Sequence, residues 1–188
     1  MINQSLNVAE LRKNNLPFLL ELWQKPEVMQ YADEFPKLRG WSKSSDIEFA
    51  WQRYEEKRAR LGNEYTQLII WVDYRKPIGE AFFTSLEEGF TFGKWHKPNN
   101  VICVIGDIKL DPSYWNRGLG TEGMRQVVRY VFTKTTSKIF IVPPHRQNPA
   151  ASRVYEKAGF VLFTGMRSWR NHKIMELTRS RFNEIYGE

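Results

Sequence analysis

The segment from residue 101 to residue 142 constrains the fold more than any other part of this chain. It opens with "VICVIGDIKL", which is apolar on both faces up to Gly106 and then alternates, a pattern typical of a central strand. The next stretch, "YWNRGLGTEGMRQVVRYVF", passes through two glycines into a helical apolar pattern, and "KIFIV" follows as a short buried strand that Pro143 ends. A strand, a helix and a second strand in this order predict a parallel crossover unit.

Upstream of this unit the chain alternates between helical and extended patterns. A short strand is predicted at residues 6–12, followed by a helix in "NLPFLLELWQKPEVMQYA" that breaks near Pro26. "SKSSDIEFAWQRYEEKRARLGN" predicts a second helix, with Ser44 or Ser45 as its N-cap and Gly62 at its end. "YTQLIIWVDY" and "PIGEAFFTSL" predict an antiparallel hairpin, and "EEGFTFGKWHKPNN" predicts a loop or a ragged hairpin end.

Downstream of the crossover unit the signals are those of one helix and a final hairpin. "NPAASRVYEKAGF" predicts a helix that Asn148 caps and Gly159 ends, with Pro149 in its first turn. "FVLFTGMR" and "KIMELT" predict a closing hairpin about "SWRNH". The order of elements, which is strand, two helices, three strands, helix, strand, helix and two strands, predicts a mixed α/β domain.

The amino-acid composition indicates the broad class of protein to which the chain belongs. The 188 residues and 41% hydrophobic content suit one globular domain with a sizeable core, and the net charge of +7 favours an anionic ligand, a nucleic acid or an acidic surface as partner. The single cysteine, Cys103, lies in an apolar run and predicts a buried thiol in a reducing cytoplasm. Neither a membrane helix nor a signal peptide is evident, so we expect a soluble cytoplasmic protein.

The glycine-rich junction before the crossover helix predicts an anion-binding site. The first N–H groups of a helix lack intrahelical partners and attract phosphate oxygens, and Gly118 and Gly120 keep side chains out of the way. Arg117 adds a positive charge, and Asn116 and Thr121 add polar groups. The alternative is an ordinary strand-to-helix turn in which the glycines only permit tight packing. The stretch lacks the Gly-Lys-Ser/Thr ending of a Walker loop and the third glycine of a dinucleotide fingerprint.

Two motifs together resemble the GNAT superfamily of acyl-coenzyme A N-acyltransferases. "RGLGTEGMRQVVRYVF" is similar to the pyrophosphate loop and helix of that family, usually written Gln/Arg-x-x-Gly-x-Gly/Ala, and Trp115 stands where the family often has Gln. "NPAASRVYEKAGF" resembles the family's Asn-x-x-Ala-x-x-x-Tyr-x-x-x-Gly-Phe helix. The resemblance implies one GNAT-like domain, with a central, mostly antiparallel mixed sheet flanked by helices and a splayed parallel strand pair that holds coenzyme A.

The resemblance also implies where acetyl-CoA, the expected co-substrate, would bind. Its pyrophosphate would lie on residues 116–121. Its pantetheine arm would contact backbone groups of Ile108 and Leu110 on one side and Asn148 and Ser152 on the other, and its 3′-phosphate would lie near Lys157. The cofactor-binding residues implied are Ile108, Leu110, Asn116, Arg117, Gly118, Leu119, Gly120, Thr121, Asn148, Ser152 and Lys157. We predict no metal site, since the three histidines lack metal-ligand spacing.

Acetyl transfer to an amine requires a neutral amine and a proton for the departing thiolate. Tyr155 occupies the position of the family's proton donor to the coenzyme A sulfur, and without the resemblance it would be interpreted as an aromatic core residue. Asp107 follows Gly106 where the central strand turns polar, and it is the predicted general base, with Glu80 in reserve. Pairing of Asp107 with a nearby lysine or arginine remains the structural alternative.

The acceptor pocket is expected outside the cofactor motifs. Tyr31, Asp33 and Glu34 in "QYADEF" and Trp95 in "GKWHK" offer carboxylates and aromatic faces for a cationic amine. The arrangement of motifs is similar to that of aminoglycoside 6′-N-acetyltransferases, in which an aspartate at the position of Asp107 serves as base, although "KWHK" is basic. The alternative acceptors are a protein N-terminus, a ribosomal protein and a hydroxamate-siderophore precursor. The alternative functions are a coenzyme A sensor without catalysis and a nucleic-acid-binding module. We expect a monomer or a homodimer.

Overall fold

The computed structural model describes residues 5–32, 46–60 and 65–187. Residue contacts divide the chain into two compact units: Met1–Phe82 with Ile108–Gly123, and Phe83–Asp107 with Met124–Glu188. Because the division passes through two strands and the crossover helix, neither unit is a continuous stretch of sequence.

A seven-stranded sheet carries the fold, in the order β1-β2-β3-β6-β7-β11-β8. Most of its pairs are antiparallel, and β6 and β7 form the parallel pair that the crossover pattern predicts. The mixed α/β fold class is thereby confirmed. The strands of the sheet are β1 Leu6–Glu10, β2 Tyr65–Val72, β3 Lys76–Ser85, β6 Cys103–Leu110, β7 Ile139–Val142, β8 Val161–Leu162 and β11 Met175–Thr178, and two small ribbons pair β4 Thr91–Phe92 with β5 Trp95–His96 and β9 Ser168–Trp169 with β10 His172–Lys173.

The helix that starts after Asn148 begins and ends where the sequence supplies a cap and a glycine. Asn148 accepts a hydrogen bond from the Ala151 N–H at 3.0 Å, and Pro149 occupies the first helical position, as predicted. A left-handed Gly159, with φ of +97°, follows that helix. The helices are α1 Leu16–Gln24, α2 Pro26–Met29, α3 Ile47–Arg60, α4 Leu119–Lys134, α5 Pro149–Lys157 and α6 Arg179–Tyr186, with 3₁₀ turns at Lys13–Asn15 and Pro112–Tyr114. The predicted break near Pro26 separates α1 from α2.

The first unit has two apolar clusters. One joins α1 and α3 to β2 through residues such as Leu19, Tyr54 and Ile69, all buried to 1% exposure or less. The other includes Ile78 near the start of β3 and Leu110 at the end of β6. Burial of such side chains is the main source of stability in a domain of this size.

In the second unit the parallel strands pair over a short register. Cys103 pairs with Ile139, Val104 with Phe140 and Ile105 with Ile141, after which β7 ends at Val142 and β6 continues to Leu110. The ring of Phe140 also packs edge-on against Phe160, with centroids 5.4 Å apart. The core of this unit therefore fixes the residues that precede Asp107.

Two sequence predictions about the C-terminal part need correction. No final helix was predicted, yet α6 follows β11, with the Thr178 hydroxyl accepting from the Arg181 N–H at 3.3 Å and Gly187 left-handed at its end. The closing hairpin is also less regular than predicted, because β8 pairs with β11 over two residue pairs while "SWRNH" closes a separate ribbon. The predicted caps Ser44, Ser45 and Gly62 lie outside the described residues.

Candidate active site

The predicted anion cradle forms the entry to α4 in the first unit. Asn116 and Gly118 both have left-handed backbones, with φ of +59° and +79°. The N–H groups of Thr121 and Glu122 bond to the Gly118 carbonyl at 3.1 and 3.2 Å, so the helix begins directly at this loop. A Cβ built on Gly118 meets no atom within 4 Å, which leaves room for a ligand against the loop. Leu119 is buried and anchors the loop to the core.

Side chains of the same unit brace this loop. The Trp115 indole N–H donates to the Leu110 carbonyl at 2.9 Å, so the residue that departs from the family motif ties the loop to the end of β6. It also occupies one lone pair of a backbone group that the resemblance assigns to the pantetheine arm. At the same strand end, Asp111 forms an ion pair with Lys25 and accepts from Ser113. Burial alone would raise the pKa of Asp111, but the hydrogen bonds from Lys25 and Ser113 hold it below the usual value.

In the second unit, α5 presents the polar groups predicted for the other side of the cofactor. Asn148 uses its side-chain oxygen as the helix cap. Ser152 is 3% exposed, and within the described part of the chain its hydroxyl has no hydrogen-bond partner. Such a group costs free energy in the folded protein unless a ligand satisfies it. Lys157 is exposed at the end of the helix, where its carbonyl accepts from Arg125 at 3.3 Å.

The predicted acid and base are in direct contact in the second unit. The Tyr155 hydroxyl donates to Oδ1 of Asp107 at 2.8 Å. Tyr155 is 1% exposed and packs against Phe160, so its orientation is fixed, whereas Asp107 is only half-buried. The structure therefore joins a proton donor and a carboxylate that the sequence identified separately.

Glu80, the reserve base, lies in a buried polar network of the first unit. It is 1% exposed, and its carboxylate accepts from the Trp23 indole N–H at 3.2 Å and from Gln67, while the Lys109 ammonium lies 3.2 Å away. Gln67 in turn accepts from Tyr65 at 2.5 Å. Both carboxylate oxygens are thus engaged, which favours a structural role for Glu80. Sequence patterns did not indicate this network, because its members are far apart in the chain.

The acceptor residues predicted from loops are only partly described. Tyr31 is half-buried in the turn after α2, whereas Asp33 and Glu34 lie outside the described residues. Trp95 is half-buried in β5, where it packs edge-on against Phe163 at 4.9 Å and lies so close to Gly165 that a Cβ there would collide with the indole. The basic character of "KWHK" is reduced, because Lys97 is buried and its ammonium pairs with Glu88 at 2.5 Å.

Cys103, His145 and His172 are buried and have packing roles in the second unit. Burial raises the pKa of the Cys103 thiol, as expected of an inert cysteine. The rings of His145 and His172 pack edge-on with centroids 5.2 Å apart. In the three described ranges, no cluster of three or more histidine, cysteine or acidic side chains could hold a metal ion, and none of the helices described there is long and apolar enough to cross a membrane.

A model of a known protein family matches most of this chain. The family model described as "Acetyltransferase (GNAT) domain" matches residues 6–161. The chain belongs to this family. It is an acetyl-CoA-dependent N-acetyltransferase, and the resemblance drawn from the two motifs is confirmed.

Solved structures of GNAT enzymes share the fold over nearly the whole chain. Aminoglycoside acetyltransferase AAC(6′)-Ib in complex with coenzyme A has a TM-score of 0.73 at 21% identity and covers 97% of this chain and 99% of its own. The same enzyme with coenzyme A and kanamycin gives 0.73 at 20% identity, with the same coverage. Spermidine N-acetyltransferase from Vibrio cholerae, with coenzyme A and spermine, gives 0.68 at 17% identity, covering 94% and 97%. At these identities the likeness concerns the fold.

The residues of this GNAT chain fit acetyl-CoA as co-substrate. The open space at Gly118 suits a pyrophosphate, and the unsatisfied Ser152 hydroxyl suits a polar group of the pantetheine arm. Arg117 contributes a positive charge at the loop.

Proposed function

We propose that this chain is a single acetyltransferase domain that transfers the acetyl group of acetyl-CoA to a primary amine of a small cationic molecule, with an aminoglycoside 6′-amine as the first candidate. The observation that carries this proposal is the 2.8 Å hydrogen bond between Tyr155 and Asp107. It provides a carboxylate for the incoming amine and a proton for the departing sulfur in one hydrogen-bonded pair.

Binding of the co-substrate is assigned to residues on both motifs. Residues 116–121 bind the pyrophosphate through backbone N–H groups, with Arg117 as the charged partner. Backbone groups of Ile108 and Leu110 and the side chains of Asn148 and Ser152 hold the pantetheine arm, and Lys157 binds the 3′-phosphate. Trp115 supports this assignment, because its bond to Leu110 holds the loop and the strand end together.

Proton transfer is assigned to Asp107 and Tyr155. Acetyl-CoA supplies the acetyl group as a thioester, and its sulfur leaves as a thiolate when the amine bonds to the carbonyl carbon. Asp107 attracts the ammonium group, which first loses one proton to solvent and becomes a neutral amine. As the amine nitrogen bonds to the carbonyl carbon, Asp107 accepts a proton from it and Tyr155 donates its own proton to the sulfur. The proton on Asp107 then returns to the Tyr155 oxygen along the hydrogen bond that already joins them. The net result is one proton moved from the amine to the sulfur, with both residues restored.

The acceptor class rests on charge and on the fold neighbours. Tyr31, Asp33, Glu34 and Trp95 are the candidate acceptor-binding residues. The ion pair of Lys97 with Glu88 weakens the argument that a basic loop would repel a polycation. AAC(6′)-Ib has been solved with kanamycin, which supports an aminoglycoside, and the spermidine enzyme has been solved with spermine, which supports a polyamine as second candidate. A protein N-terminus and a siderophore precursor are alternatives that the same experiment separates.

The experiment is a turnover screen that measures free thiol from acetyl-CoA over aminoglycosides, polyamines, amino acids, hydroxamate precursors and peptides. We expect thiol release with a small polyamine or aminoglycoside, confirmed by a single added acetyl group in the mass spectrum of the product. Asp107→Asn should abolish most of that release, while Glu80→Gln, at the buried reserve base, serves as its matched carboxylate control. Release with peptides or intact proteins alone would contradict the proposed acceptor.

A further inference from the structure

We propose that Lys76, at the start of β3, is an additional phosphate-binding residue for acetyl-CoA, held beside the pyrophosphate loop by the ring of Tyr114. This inference rests on the proposed use of that loop. Neither of the two family motifs includes the β2–β3 hairpin, so no sequence pattern identified Lys76.

The ring of Tyr114, in the first unit, lies close to two cationic side chains. It also packs against the apolar cluster that includes Ile78 and Leu110. The Lys76 ammonium lies 5.4 Å from the ring centroid, and the Arg117 guanidinium lies 5.8 Å from the same centroid. The same ring therefore contacts a residue of the hairpin and the charged residue of the loop, which is 41 positions later in the sequence (117 − 76).

An aromatic ring is a suitable support for cations that must remain available. A carboxylate would hold Lys76 more firmly, but it would also cancel the charge that attracts a phosphate. The ring attracts the ammonium through its quadrupole and leaves the net charge unchanged. Interaction with the Tyr114 hydroxyl also raises the pKa of Lys76, so the ammonium persists well above neutral pH.

Asp111 and Glu122 are carboxylates of the same unit that could offset the positive charges of Lys76 and Arg117. Asp111 is paired with Lys25 and bonded to Ser113, so much of its charge is already neutralised. Glu122 lies in the first turn of α4, where a carboxylate stabilises the helix start. Lys76 and Arg117 therefore give the loop a positive field, which suits a coenzyme with a pyrophosphate and a separate 3′-phosphate.

The test measures coenzyme A binding directly, by calorimetry on the full chain. Lys76→Gln should raise the Kd about 3- to 5-fold at low ionic strength, since a solvent-exposed charge pair contributes modestly. The difference should disappear in about 1 M salt, where the screening length falls to about 3 Å. Arg75→Gln is the matched control, because Arg75 is the adjacent exposed cation. Equal effects of the two substitutions would overturn the proposal.

A second variant tests the role of the ring. Tyr114→Leu should weaken coenzyme A binding, and in that background Lys76→Gln should add little; a full additional loss would show that Tyr114 does not position the lysine. Melting curves identify any variant that has lost its fold. A wild-type protein that binds coenzyme A but acetylates no amine would refute the proposed function and leave this inference standing. Absence of coenzyme A binding by the wild type would refute both.

Discussion

The hydroxyl of Tyr155 donates to Asp107 across a separation of 48 residues, at 2.8 Å. The donor is buried and rotationally fixed, while the acceptor is half-exposed. A carboxylate that accepts this bond is oriented before an amine arrives, and preorganised groups contribute more to catalysis than mobile ones. The pair is therefore expected to act as a unit, and its two members can be separated by substitution.

Tyr155→Phe tests the proton donor. The ring and its packing against Phe160 remain, so the fold and the Kd of acetyl-CoA should change little. Turnover should fall about 10²–10⁴-fold, the range typical of general acid–base groups. Single-turnover thiol release isolates the chemical step for this measurement. Full activity under that condition would leave Tyr155 with a packing role only.

Asp107→Asn tests the base. The side chain keeps its shape and loses its charge, so activity should fall strongly near neutral pH and recover in part at higher pH, where more of the acceptor amine is neutral. Rates from pH 6 to about pH 10 would reveal this recovery. A wild-type profile in the variant would remove Asp107 from the mechanism.

The double variant, Asp107→Asn with Tyr155→Phe, is the control for coupling. Groups that act as a unit give strongly non-additive losses, so the double variant should lose little more than the more damaged single variant. Multiplicative losses would indicate two independent proton-transfer groups.

Gly118→Val tests the phosphate loop, with Gly89→Val as its control. Both glycines have left-handed backbones, φ of +79° and +76°, and a Cβ at either position meets nothing within 4 Å. The two substitutions should therefore cost similar free energy of unfolding, about 1–2 kcal/mol. Only the valine at position 118 adds a branched side chain to the surface of the cradle, so only that variant should lose coenzyme A binding in calorimetry. Equal affinities would argue against the cradle.

Ser152→Ala tests the unsatisfied hydroxyl. Removing a buried polar group that has no partner should leave the free protein equally stable or more stable, by up to about 1–3 kcal/mol. The same change should reduce the increase in melting temperature that coenzyme A produces, because the hydroxyl no longer bonds to the ligand. If the ligand stabilises the variant and the wild type equally, Ser152 does not contact it.

Local signals predicted the parts of the fold that depend on nearby residues. Short stretches of sequence predict the crossover unit, the Asn148 cap and the hairpin of β2 with β3. The structure contains all three. Helix α6 was missed because its apolar positions are few and only Phe182 is fully buried, so its pattern is weak. Its cap and its terminal glycine were signals that could have indicated it.

Long-range contacts explain why the site was predicted only in part. The two motifs placed the loop and Tyr155, since family spacing fixes them. The two residues that donate hydrogen bonds to Glu80 lie 13 and 57 residues away, and Lys76 lies near the Tyr114 ring only because the chain folds the hairpin towards it. No periodicity encodes such contacts, because they follow from the register of strands that pair in three dimensions.

The last prediction concerns Lys57 and the pH dependence of stability. Its ammonium lies 3.8 Å from the centroid of the Tyr65 ring, on the inner side of α3. Burial, with a smaller contribution from the charge of Arg60, lowers the pKa of Lys57 from 10.5 to about 8, although Glu80 partly opposes the shift. A lysine whose pKa is lower in the folded state carries a penalty below the folded value. That penalty is relieved as the pH rises towards the unfolded value, since the unfolded chain then binds more protons.

The free energy of unfolding of the wild type should therefore rise between about pH 8 and pH 10.5, relative to Lys57→Met, by about 2–3 kcal/mol. Below pH 8 the difference should be constant, because Lys57 is then charged in both states. Urea denaturation at each pH measures this directly, and Lys134→Met, at an exposed position of α4, controls for the loss of one positive charge. The prediction fails if the difference in unfolding free energy between wild type and Lys57→Met stays constant from pH 8 to pH 10.5. Lys57 would then be as well solvated in the folded protein as in the unfolded chain, and Tyr65 would not hold its ammonium against the sheet.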